Sequence, residues 1–211
     1  MPIPTIGNAP DSTTLRLTTG AENLELRHLM LRVLQIEQQR LTIHDPRLVG
    51  KQFHLTFQEY RNGTPTPEKE LVGNKASRLT QFDSTGTFSV EVFSRQVSET
   101  KVENRFLFVN GMTVKAFDVV PQKGDLYSMR TDIRPFRRAQ GAVGGSTNNP
   151  VSEARLPLSV KVPLLVYTLP YNGGDYLQWC TVAQSQVPVE QWYKRFKIPH
   201  FVVYNLRIDL K

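Results

Sequence analysis

The chain has 211 residues, 39% hydrophobic and 21% charged, with a formal net charge of +7 and a single cysteine. That balance supports a folded core and excludes wholesale disorder, while one thiol excludes an internal disulfide framework. No stretch approaches the ~18 consecutive apolar residues of a membrane-spanning helix.

The opening MPIPTIGNAP lacks the basic start and apolar run of a secretory signal, so the expectation is a soluble protein made in a reducing cytoplasm. Asn62-Gly63-Thr64 then reads as a turn rather than a glycosylation acceptor. Residues 1–11 mix Pro, Gly and Asn with few anchors and read as an extended arm. The expectation for 12–211 is a single β-rich domain with a long loop at 137–153. In TTLRLTT, Leu15 and Leu17 alternate with polar residues, which predicts a short strand.

TTGAENLELRHLMLRVLQIEQQR is the helix candidate, with capping-box spacing between Thr19 and Glu22. At 100° per residue Leu26, Leu29, Met30, Val33, Leu34 and Ile36 share one side. Leu24 and Leu31 fall outside that arc, and the same residues can be read as a strand through Leu29, Leu31 and Val33. From Gln52 the period becomes two: Phe53, Leu55 and Phe57 alternate with polar residues, and so do Phe88, Val90 and Val92. Between them, RNGTPTPEKE reads as a polar loop because its prolines interrupt a ladder.

ENRFLFVNGMTVKAFDVV predicts a hairpin turning at Asn110-Gly111, a pair suited to a type I′ turn. One face carries Leu107, Val109, Met112, Val114 and Ala116 and is the expected core face. The other carries Phe106, Phe108 and Phe117, too apolar for open water. Those three phenylalanines are expected to lie under the chain's own loops or under a partner. LPLSVKVPLLVYTLP reads as a strand with a break or edge at Pro163, and DYLQWCTV as another strand. VPVEQWYKRFKIP reads as a short helix with Val189, Trp192, Tyr193 and Phe196 on one face, and HFVVYNLRIDLK as a regular final strand. The fold class expected is mainly β: an antiparallel sandwich or open barrel, one longer N-terminal helix and one short C-terminal helix.

No catalytic, metal or cofactor signature emerges. His28, His44, His54 and His200 lack metal-ligand spacing and read as structural; His44-Asp45 before Pro46 reads as a turn. Cys180 beside Trp179 reads as an inert thiol, and no G-x-S-x-G elbow is present. In FDSTGT, Asp83 stands one residue too far from Gly86 for an aspartic-protease motif and reads as an Asx turn; GNKAS is only half of a P-loop.

Arg130, Arg134, Arg137 and Arg138 cluster around Phe136 and could contact phosphates and a base. The reading favoured instead is a non-enzymatic structural or adaptor subunit of a larger assembly, such as a phage or virus particle or a contractile injection apparatus. Its expected partners are other protein subunits, including copies of itself, met through Arg134, Phe136, Arg137, Arg138, Phe106, Phe108 and Phe117. The alternatives are nucleic-acid binding through Arg130–Arg138, or a ligand-binding β-sandwich using Tyr171, Tyr176 or Trp179.

Overall fold

Alternating apolar residues turn most of this chain into strands. A computed structural model describes residues 11–72, 80–121, 126–131, 151–183, 185 and 187–210. Strand β1 (Ser12–Thr19) buries Leu15 and Leu17 and turns out at Gly20, whose φ is +77°. Asn23 then caps α1 (Leu24–His28), its side chain accepting from the Leu26 N–H, and a π-helical turn continues over Leu29–Val33. Left-handed Gln35, φ +53°, ends the helical run.

The N-terminal helix is thus shorter than its pattern predicts. Thr19, the expected cap, belongs to β1, and the end of the stretch becomes β2 (Glu37–His44), where Gln39, Leu41 and Ile43 point inward with a period of two.

Strand β3 (Gln52–Arg61) turns through Asn62 and Gly63, both left-handed at φ +48° and +81°. The chain's type I′ hairpin signature therefore falls here. The following segment is not a bare loop, since β4 (Thr64–Pro65) and β5 (Lys69–Glu70) each pair briefly with β3. Next come β6 (Thr87–Ser98), β7 (Lys101–Phe108) and β8 (Gly111–Asp118). The β7–β8 hairpin closes at Phe108↔Gly111 around Val109-Asn110, and neither Asn110 nor Gly111 has positive φ. Its register differs from the expected one by an even number of residues, so each face keeps its membership.

After β9 (Ser128–Arg130), β10 (Val151–Pro157) takes residues 151–153 out of the expected loop. The break before β11 (Val162–Thr168) lies at left-handed Ser159, φ +61°, while Pro163 marks a register shift inside β11. DYLQWCTV is mostly not strand: β12 (Tyr171–Asn172) pairs with the short β13 (Leu177–Gln178), and the chain then enters α2 (Cys180–Ala183). A 3-10 turn over Val189–Gln191 leads into α3 (Trp192–Phe196) and on to β14 (His200–Asp209).

The strands form an antiparallel β-sandwich. One sheet runs β10-β1-β2-β6-β7-β8 and the other β4-β3-β14-β11-β9. Their inner faces meet in one core, with Phe53 against Phe88 at 4.4 Å, Phe106 against Tyr204 at 4.8 Å and Phe57 against Phe117 at 5.8 Å. Strand β3 thus crosses diagonally from β6 to β8. The outer face of the second sheet is covered too: Trp192 of α3 lies 5.0 Å from Phe201, which stacks on Tyr60. This cover buries Phe201 on the outer face of β14.

Candidate interaction surface

The sequence-predicted site divides in two. Arg134, Phe136, Arg137 and Arg138 lie outside the described residues, as do the arm residues 1–10 and residues 137–150 of the expected loop. Phe106 and Phe117 are 0% and 7% exposed, and Phe108 is half-buried against the same core. What covers them is the chain's second sheet, through Tyr204 and Phe57. These phenylalanines form the core face of the hairpin, and the face expected to be core is the outer one. Leu107, Met112 and Val114 are 36%, 57% and 39% exposed, and Val109 at the tip is 82% exposed.

Register fixes the rest of that outer face. One row across the sheet reads Arg40, Glu91, Leu107, Met112; the next reads Gln38, Phe93, Arg105, Val114. A cleft of about 300 Å³ opens there, lined by Ile36, Phe93, Leu107 and Met112 with Arg95, Glu103 and Arg105 at its side. The carboxylates of this face are paired within it. Arg40 binds Glu91, and Glu103 accepts from Arg105 at 2.7 Å with Arg95 at 3.5 Å. The bond from Arg105 holds the Glu103 carboxyl below its ordinary range against a smaller opposing effect of burial.

The helical segment adjoins this cleft. The Ile36 N–H donates to the Met30 carbonyl, and Glu22 lies 3.7 Å from Arg40 of the outer face. Neither α1 nor the π turn has a buried residue. Leu24, Leu26, Leu29, Leu31 and Leu34 are 41–50% exposed, and Val33 is 70% exposed. A short helix with apolar residues around its circumference has no intrinsic reason to be stable in water. The sequence signal for this was the pair that fell outside the expected arc, Leu24 and Leu31.

No protein-family model matches this chain, and no match is found among curated proteins or solved structures.

Two further polar clusters are structural in placement. Tyr127 Oη lies 2.9 Å from His200 Nδ1, and His200 Nε2 lies 2.8 Å from Glu59, which also binds Arg61. Burial alone would raise the Glu59 carboxyl, but His200 and Arg61 hold it below its ordinary value. The order is that of a hydroxyl–imidazole–carboxylate relay, yet Tyr127 and His200 are 2% and 1% exposed. A substrate has no access to that hydroxyl. On the outer face of the second sheet, His54 is held between Glu70 at 3.1 Å and Asp209 at 2.9 Å.

The aromatic residues considered for ligand binding are mostly engaged within the fold. Tyr171 packs edge-on against Phe196, and the Trp179 indole N–H donates to the Leu126 carbonyl; Tyr176 is exposed. Cys180 begins α2 rather than sitting in a strand. Asp83 forms the expected Asx turn, accepting from the N–H groups of Thr85 and Thr87. Among the described residues, no helix is long and apolar enough to cross a membrane.

Proposed function

We propose that this chain is a non-enzymatic structural or adaptor subunit of a larger protein assembly. The observation that carries this reading is the apolar surface formed by the α1 segment and the outer face of the β7–β8 hairpin. Scattered exposed leucines are ordinary on a folded protein, but here a helical segment with no buried residue leads through Ile36 into an apolar cleft on the outer face of the hairpin. Protein partners stabilise such a patch by removing it from water at about 25 cal/mol per Å². The face's ion pairs Arg40–Glu91 and Arg105–Glu103 are already closed, so its exposed groups recruit chiefly by apolar contact.

Mass by light scattering, across concentration and in the native extract, tests the proposal. A defined oligomer or a stoichiometric complex is expected. A monomer at every concentration, with no partner in the extract, overturns it.

A further inference from the structure

We infer that the occupant of this surface is a second copy of the same chain, docked face to face across a two-fold axis; this rests on the assembly reading above. Three observations decide it: the size of the patch, its charge, and the guarding of the sheet edge beside it.

The exposed fractions of the apolar residues on the α1 segment and hairpin together equal about five fully exposed side chains. At ~60–120 Å² each, implied by ~1.5–3 kcal/mol per side chain and ~25 cal/mol per Å², they present roughly 300–600 Å². A standard interface takes ~800 Å² per partner, about 57–65% of it apolar, or roughly 450–520 Å². Counted on every side of the helix, the exposed apolar residues thus set an upper limit that matches the apolar content of one standard interface.

Charge selects the occupant. The whole chain carries +7, yet on this face Arg40 is paired with Glu91, and Glu103 lies between Arg95 and Arg105. On the helical segment Glu22 and Glu25 stand against Arg27 and Arg32, so the face as a whole keeps only a small positive excess and an identical face meets a weak like-charge field.

The other route to self-association is through β8, which edges the first sheet. Because the Val119 N–H donates to the Thr100 carbonyl, strand alternation turns the backbone groups of Met112, Val114, Ala116 and Asp118 outward. Arg61 already occupies the Asp118 carbonyl. Lys115 points inward at the edge, 5.3 Å from the Phe57 ring centre, and an inward charge is a recognised guard against edge pairing. Edge pairing would also leave the α1 leucines in water. Docking through the face covers them.

Sedimentation of the full chain tests this, with circular dichroism confirming that each variant folds. Leu29 and Met112 are not buried, so Leu29→Glu plus Met112→Glu is compatible with the fold. Ala116→Pro blocks the β8 edge without removing a bond to β7. The expected result is a wild-type dimer, an association weakened ~100-fold or more by the double substitution, and no effect of Ala116→Pro. A dimer lost only in Ala116→Pro overturns face docking in favour of edge pairing and leaves the assembly reading standing. A wild-type monomer that enters a stoichiometric complex with a different protein overturns self-docking alone. A monomer without any partner overturns both.

Discussion

Gly86 tests the packing logic of the sandwich most directly. Its φ is +74°, and a Cβ added there would lie 2.2 Å from the Asp45 carbonyl oxygen and 2.8 Å from its carbon. That is more than an ångström inside ordinary contact, and the obstacle is backbone. The same approach lets the Asp45 N–H donate to the Gly86 carbonyl at 3.0 Å. In Gly86→Ala, a left-handed alanine costs ~1–2 kcal/mol. Separating the two segments sacrifices a hydrogen bond worth ~1 kcal/mol. The total of ~2–3 kcal/mol lowers Tm by ~4–12 °C for a chain of this size. Gly50 is the control, with φ +69° and nothing within 4 Å of an added Cβ, so Gly50→Ala carries the conformational cost alone. Calorimetry of the two variants isolates the close approach as their difference. Equal losses in both would refute the argument.

Three other outcomes are expected. Asn104 Nδ2 donates to Tyr204 Oη at 2.7 Å with both residues 0% exposed, so Asn104→Val or Tyr204→Phe alone costs ~1–3 kcal/mol. The double variant should recover most of that in denaturant titration, and strict additivity would count against the pairing. The Arg47 side chain, by its hydrogen bonds, holds the Asp45 carboxyl at about 2, below its ordinary 3.8, against a smaller opposing effect of burial. This lowered value stabilises the fold fully above about pH 4 and less as pH falls towards 2. With Arg47 half in solvent, the gain is about 1–2 kcal/mol. Urea midpoints for wild type and Asp45→Asn should converge over that window, and a pH-independent gap would refute the assignment. Finally, Tyr127→Phe removes the hydroxyl facing His200 Nδ1 and should cost ~1–2 kcal/mol in Tm measurements without altering oligomer mass. An unchanged Tm would remove the network from the stabilising contacts.

Local alternation made much of the fold legible. Leu15 and Leu17, Phe53 and Leu55, and Phe88, Val90 and Val92 lie inward as their period requires. The hairpin defeated the same reasoning because both of its faces are apolar. Only the second sheet, by placing Tyr204 and Phe57 over Phe106 and Phe117, decides which face is core. The strand break at Ser159 was hidden by the more conspicuous Pro163, since a left-handed serine leaves no compositional mark. The candidate surface was misread for a related reason. Leu26, Leu29 and Val33 look like a core helix, and their exposure follows from what fails to pack on them. Periodicity along one segment cannot encode that.

The pairing of β3 with β14 also sets a timetable. Gln52 meets Asp209 and Arg61 meets His200, so this central ladder joins segments well over a hundred residues apart in the chain. Until that long loop closes, β3 carries Phe53, Leu55 and Phe57 without the strand that completes its sheet. Such distant pairings place a chain among the slow folders, on millisecond-to-second timescales. The interval before closure is when unpaired β3 leaves its apolar face and its backbone groups most open to aggregation.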